Sequence, residues 1–423
     1  MKWLCLLLSL VLVTAMTVPP PEITKPKILA HYMPWFRAEK TTNGMAWEHW
    51  EWFGRGPKHD PETVLQNGRH DIASVFYPLI GPYDGREAAV LEYHMLTAKA
   101  AGIDGFVADW YGPGGYTDQV FAKMVQAAER YGMKVAICLE EKSFFPNYAQ
   151  VSTRADAMNE MERQIRHVLA THATSPAYLT HGSQPVLFIF NGWGQNALGS
   201  ANLSPQEVGD VLGRFTNQKP ALVRGWYDPS YNSVIGGCYC WATSAHDRDL
   251  FYTNAIPARR AGQIPFVVGV ASPGFDDSGV NGWGNGVRIT DRRGTQEYED
   301  NWNEILRYRP DAVQIVTWND FQEGTTIEPS EEYGLKFLDA TEQYAARFAG
   351  RPANLTDNGW PLRLYRLRLQ AGELKNADDR AAWAQKLDAY ADAFAGGRRF
   401  LMGWRLQSLE RGLKDAVDAQ ASP

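Results

Sequence analysis

The sequence predicts an α/β protein, a (β/α)8 TIM barrel with a C-terminal helical appendage. Eight short, nearly continuous apolar runs recur between residues 28 and 318, as parallel strands buried on both faces should. Helix-patterned segments separate most of them. The rival, a doubly wound open sheet, would carry a phosphate-binding glycine loop after its first strand. This chain has His31-Tyr32-Met33-Pro34-Trp35 there instead. Its 423 residues are enough for one barrel with appendages. With 42 Lys+Arg, 48 Asp+Glu and 44% hydrophobic residues, it is neither disordered nor collagen-like, and no basic tract offers a nucleic-acid footprint.

At the N-terminus, Lys2 precedes an apolar run from Trp3 to Val13, and Val13-Thr14-Ala15 supplies small residues near a cleavage point. Residues 1–15 therefore read as a secretory signal peptide, and residues 16–26, with Pro19-Pro20-Pro21, as a stiff spacer. About eleven apolar residues are too few for a bilayer that needs roughly 20. The expectation is a secreted or periplasmic protein, free of the membrane once the signal is removed. Past the signal only Cys138, Cys238 and Cys240 remain, an odd number that makes no full disulfide framework. Cys238 and Cys240, two apart on one strand, would share a face and form only a strained bridge, so packed thiols are expected.

The barrel is assigned to residues 27–350. Its predicted strands cover residues 28–35, 105–110, 134–140, 185–191, 222–227, 234–241, 265–271 and 312–318. Helices are predicted over 88–101, with Val90, Met95, Leu96 and Ala100 on one stripe, and over 118–131, with Val120, Met124, Val125 and Ala128. Others cover 155–171, 204–215 (opened by N-cap Ser204 and Pro205) and 296–308. Residues 351–423 change character. Trp383, Leu387, Tyr390 and Phe394 keep helical spacing, as do Leu401, Trp404, Leu409, Leu413 and Val417. Two or three helices packed onto the barrel are expected, with Gly396-Gly397 turning between two of them.

In a barrel, chemistry collects where strands end. The strand-end residues here are aromatics, acids and amides: His31, Tyr32 and Trp35; Asp109, Trp110 and Tyr111; Glu140 and Glu141; Asn191 and Trp193; Trp226; Trp241; Asp276. Fifteen Trp, 19 Tyr and 18 Phe add flat faces of pyranose size. Sugar hydroxyls want acids and amides as partners, and glycoside cleavage needs two carboxyl groups beside an oxocarbenium-like state. The densest segment is Thr317-Trp318-Asn319-Asp320-Phe321-Gln322-Glu323-Gly324-Thr325, where two carboxylates three residues apart follow a buried strand. They can project into one cavity, where burial raises one pKa enough for a general acid. Equally, Asp320 could cap the next segment while Glu323 is solvated.

Trp318–Thr325 resembles the strand-eight motif of glycoside hydrolase families 99 and 71, roughly Asn-Glu-Trp-x-Glu-Gly and Trp-Asn-Asp-Tyr-Gly-Glu. His31–Phe36 resembles the first-strand segment of both. Asp71–Pro78 followed by Gly81-Pro82-Tyr83, Asp109-Trp110-Tyr111, Leu139-Glu140, and Pro273–Asp277 with Arg292-Arg293 resemble family 99 segments, and Ala101–Phe106 is similar to family 71. These matches run in order over residues 28–340. The resemblance implies an endo-acting enzyme on an α-linked polymer, α-mannan or α-1,3-glucan. It makes Glu323 the general acid/base, Asp320 its acidic partner, and Glu140 and Trp110 substrate-binding positions. Trp318 and Asn319 join the expected binding set with the strand-end residues above. Family 99 has Glu where this chain has Asp320, and acts through the sugar's own 2-hydroxyl; family 71 has Asp and inverts. Asp draws the carboxylate back about 1.5 Å, one carbon–carbon bond, which favours room for a water and hence inversion.

A barrel that binds carbohydrate without cleaving it is the alternative, and intact Asp320 and Glu323 speak against it. No His-x-x-x-His or His-Glu-x-x-His spacing suggests a metal-dependent hydrolase, and no Gly-x-Ser-x-Gly elbow a serine hydrolase. His246-Asp247 reads as a hydrogen-bonding pair. Gly282-Trp283-Gly284-Asn285-Gly286 precedes no helix start and reads as a mobile groove wall, not a phosphate loop. The expectation is a monomer that takes no metal or cofactor, with a polysaccharide or oligosaccharide as its partner and neither nucleic acid nor membrane.

Overall fold

The computed structural model describes residues 28–42, 44–192, 194–242, 244–355, 358–398 and 401–421. The signal and spacer lie outside these residues, as does Trp193. Eight parallel strands form the barrel: β1 Ile28–Tyr32, β2 Gly105–Trp110, β3 Lys134–Glu140, β4 Gln184–Phe190, β5 Ala221–Gly225, β6 Gly237–Tyr239, β7 Phe266–Ala271 and β8 Ala312–Ile315. Each pairs with the next in chain order, and β8 pairs back onto β1 with Ile28 opposite Val313, which closes the ring. The predicted strands all occur; β1, β6 and β8 are shorter than expected because their ends leave the ladder to build loops.

Helices α1 Ala88–Ala100, α2 Tyr116–Tyr131, α3 Arg154–Thr171, α4 Pro205–Gly213, α5 Ala245–Arg260, α6 Gln296–Tyr308 and α7 Lys336–Ala349 surround the strands. Ser204 caps α4 as expected: its side chain accepts the Glu207 N–H, and the Glu207 carboxylate accepts the Ser204 N–H at 2.7 Å. Helix α5, which the weak apolar stripe of its sequence did not announce, joins β6 to β7. Only a single turn, Pro229–Tyr231, joins β5 to β6.

Strand parity sorts the core. Leu29, Val107, Ala136, Cys138, Val186, Phe188, Val223, Tyr239 and Val268 fill the lumen. Their alternates, among them Ala30, Tyr32, Phe106, Ala108, Trp110 and Ile137, face the helices. Cys138, Cys238 and Cys240 are buried free thiols.

Three further helices, α8 Trp360–Gly372, α9 Ala377–Ala395 and α10 Met402–Ala421, follow. They pack on one another, and α8 and α9 pack on α1. Arg368 of α8 grips Glu92 of α1 with two hydrogen bonds, at 2.5 and 2.7 Å. In α10 the buried residues are Met402, Leu406 and Leu413. Leu401, Trp404 and Val417, expected on the packed stripe, are exposed; the stripe is rotated, and Leu401, with φ of 60°, precedes the helix.

Candidate active site

The last inward residues of β1 to β4 are His31, Asp109, Glu140 and Phe190, and they open onto a cavity of about 620 Å³ at the strands' C-terminal ends. Asp320 and Glu323 line the same cavity, together with Trp35, His49, Tyr111, Lys142, Tyr148, Asn191, Trp241, Phe275, Trp283 and Arg288. A hollow of similar size, about 650 Å³, lies between α8 and α10, but its Arg363 and Glu410 bind each other at 2.7 Å. The carboxylate-lined mouth of the barrel is the candidate active site.

The loop after β8 is held from several sides. Asn319 is wholly buried and spans to the first strand's extension: its Oδ1 accepts the Met33 N–H at 2.7 Å, and its Nδ2 donates to the Met33 carbonyl and the Tyr83 hydroxyl, each at 3.0 Å. Arg292, buried, donates to the carbonyls of Gly324 and Thr326, both at 2.8 Å. Gly324 has φ of +57°, and a Cβ there would lie 2.7 Å from the Asp276 carbonyl oxygen, so only glycine fits.

Within that frame the Asp320 N–H donates to Thr317 Oγ1 at 2.8 Å, and its own Oδ1 accepts the Glu323 N–H at 3.0 Å. The capping role and the cavity role thus coexist in one side chain. Burial pushes the Asp320 carboxyl well above the ordinary range, and the Glu323 charge pushes it further. Burial also raises Glu323, against the Trp283 N–H that donates to its Oε1 at 3.1 Å.

A second acid pair stands on the opposite strands. Asp109 and Glu140 are buried on neighbouring strands, close enough for their charges to act on each other. Burial, then the Glu140 charge, raises Asp109 strongly. Lys142 sits 3.3 Å from Glu140 and 5.0 Å from the centre of the Tyr111 ring. His31 is pushed down to about 3 by burial, so it is a neutral imidazole, in contact with Gln314 at 3.1 Å and edge-on to Trp241.

Among the described residues, two groups have ligand atoms close enough to hold a metal ion: His31, Asp109 and Cys138, and Asp118, His167 and His172. In each group one ligand atom, Asp109 Oδ1 or His167 Nε2, lacks a hydrogen-bond partner, while the other members are already engaged. Burial raises the Cys138 thiol, disfavouring the thiolate a metal would need, and Asp118 already accepts from Trp110, Gly114 and His172.

Of the expected binding residues, His31, Trp35, Tyr111, Glu140, Asn191 and Trp241 line the cavity. Six others do not, and for three of them, Tyr32, Trp110 and Trp226, one physical rule gives the reason: a strand-end residue one position away faces the opposite side. Tyr32 points outward to His94, 3.0 Å from its Nδ1. Trp110 points outward to Asp118 and stacks near His167. Trp226 packs against the outer core, and Trp318 is fully buried against His94 and Phe106. Asn319 is the staple described above. Asp276 backs the site: its N–H donates to the Glu323 carbonyl at 2.8 Å while its neighbour Phe275 faces the cavity.

His49, Tyr148 and Arg288 reach the cavity from loops that strand-end reasoning does not reach, and Lys142 from the single turn directly after β3, two residues past Glu140. His49 stacks on Trp35 with ring centres 4.8 Å apart and bonds Gln322 at 2.8 Å. Asp109, a strand-end acid in the sequence, lines the cavity beside Glu140. The glycine-rich segment around Trp283 is a cavity wall, as its composition suggested.

Residues 25–345 match the profile of glycosyl hydrolase family 99. A glycoprotein endo-alpha-1,2-mannosidase-like protein of Danio rerio is 24% identical over 315 residues, 67% of this chain and 67% of that one. The glycoprotein endo-alpha-1,2-mannosidase of Mus musculus is 24% identical over 309 residues, 66% of this chain and 62% of its own length. The chain thus spans less than two thirds of the mouse protein. The GH99 endo-alpha-mannosidase structure from Bacteroides thetaiotaomicron superposes with a TM-score of 0.62 at 18% identity, covering 77% of this chain and 98% of that one; the two share the barrel fold.

Proposed function

This chain belongs to glycosyl hydrolase family 99 and is a glycoside hydrolase with a carbohydrate substrate, and on that premise we propose that it is an exported endo-α-mannosidase. The supporting observation is the meeting of Asp320 and Glu323 in one cavity with both carboxyls raised by burial. Raised together, the pair favours sharing one proton over full ionisation. Glu323 delivers that proton to the glycosidic oxygen as the bond to the anomeric carbon breaks. Asp320 takes a proton from the attacking water, whose oxygen forms the new bond, and the shorter Asp gives inversion. The aromatic walls Trp35, Tyr111 and Trp241 receive sugar faces, and Asp109, Glu140 and Asn191 their hydroxyls. The mannoside preference is supported by the relatives' names, and export by the N-terminal pattern of Lys2 and residues 3–15. No nucleic acid, membrane or second copy enters this proposal.

Time-resolved proton NMR of the enzyme on α-mannan and on α-1,3-glucan tests it. Release of a β-anomer first from mannan is expected. An α-anomer first would give Asp320 the sugar's own 2-hydroxyl as its partner, and turnover of the glucan alone would overturn the mannoside assignment.

A further inference from the structure

Two loops meet at the cavity mouth beside Glu323. One carries Trp52 to Gly56 and is closed by a bridge between Trp52 and His59. The other is an arch over residues 278–288, pinned at its base where Asp277 accepts the Arg288 backbone N–H at 2.7 Å and its side-chain Nε–H at 2.8 Å. The Trp52 indole donates to the Arg55 carbonyl at 3.1 Å, and Asn281 Nδ2 donates to the same carbonyl at 3.1 Å. Gly54 leaves the space the Trp52 ring occupies, and Gly56 leaves the space Asn281 occupies; a side chain at either would collide.

This close knitting fixes two indoles at right angles, ring centres 5.6 Å apart and planes 84° apart. Trp283 belongs to the cavity wall, and Trp52 continues that wall outward. Trp283 is 37% exposed and its neighbour loop residue Phe53 is 54% exposed, an unusual outlay of apolar surface for loops this well ordered by hydrogen bonds. Neither indole is needed to fill the core.

Their place relative to the chemistry gives them a role. A general acid stands beside the oxygen that leaves, so a group that touches its carboxylate from the mouth lies on the leaving-group side. Trp283 touches Glu323 Oε1 in that way. We propose that Trp52 and Trp283 form the platform for the sugar on the leaving-group side of the scissile bond, the portion of an α-linked oligosaccharide or polysaccharide toward its reducing end. The proposal rests on Glu323 as the acid. The apolar C–H face of a pyranose lies in the corner between the two rings, and Arg288, also on the cavity wall, offers donors to its hydroxyls.

The test compares kcat/KM on a linear α-mannan oligosaccharide with that on the matching glycosyl fluoride, which has no sugar on the leaving-group side. For Trp52→Ala the ratio of oligosaccharide to fluoride activity is expected to fall about tenfold, and Trp52→Phe, which keeps a flat face, recovers most of it. A ratio within about twofold of the wild type, with both substrates turned over, overturns the platform and leaves the glycosidase reading intact. A wild-type enzyme that turns over neither substrate, and a Glu323→Gln protein that shows no calorimetric binding of the oligosaccharide, overturn both.

Discussion

Asp320 Oδ1 accepts the backbone N–H of Glu323 at 3.0 Å, so one carboxylate of the pair holds in place the main chain that carries the other. Removing the charge and removing the acceptor are then separable. Asp320→Asn keeps an oxygen for the Glu323 N–H but loses the base, and kcat is expected to fall about 10²–10⁴-fold with the melting temperature nearly unchanged. Asp320→Ala is expected to lose stability as well, measured by thermal melts alongside steady-state rates.

Glu323→Gln replaces the acid by an isostere that cannot give up a proton. Turnover of an unactivated glycoside is expected to fall by about 10²–10⁴, while calorimetric affinity for oligosaccharide survives. Ordinary activity in this variant would sink the assignment of the acid.

Trp283→Phe removes the N–H that favours ionised Glu323. Burial then acts with less opposition, and the acid's pKa moves further up. The alkaline limb of the kcat/KM profile reports loss of that proton, so it should shift to higher pH. A limb that stays put or moves down contradicts the hydrogen bond's role.

Asp109 gives a stability test. Its carboxyl is raised in the folded protein by burial and by Glu140, so the stability it contributes is present below the unfolded pKa of about 3.9 and is lost as pH rises toward the folded value. Asp109→Asn mimics the protonated form at every pH. The gain in melting temperature over wild type should therefore be small near pH 4 and larger near pH 7, read by scanning fluorimetry.

Asn319→Ala leaves the Met33 N–H and carbonyl without their partner in a buried setting. A cost of about 3 kcal/mol in urea unfolding is expected, as for two orphaned buried polar groups. A change below about 1 kcal/mol would mean the loop after β8 is held elsewhere.

The sequence carried the barrel because apolar runs of strand length and their helical spacers are set by local chemistry, and β2 and β3 match their expected residues to the position. It carried Asp320 and Glu323 because polarity after a buried strand is costly without a use. What it could not carry was parity. Asp109, Trp110 and Tyr111 are adjacent, yet the acid and the tyrosine face the cavity while the tryptophan faces α3. A shift of one residue reverses every such assignment, and only the closed register with β1 and β3 decides it. Loop-borne His49 is hidden for a different reason: it reaches the site through a tertiary contact with Gln322, 273 residues further along the chain.

The three free thiols of the barrel wall give the molecule a built-in clock. Cys138, Cys238 and Cys240 are each at 0% exposure on or beside β3 and β6. No thiol reagent can reach them while the strands stay paired, and burial raises all three thiols, keeping the reactive thiolate scarce. The rate at which they are modified in native buffer therefore counts openings of the ring itself rather than fluctuations of its loops. A saturating oligosaccharide, by binding only the closed ring, should slow that clock in proportion to its occupancy.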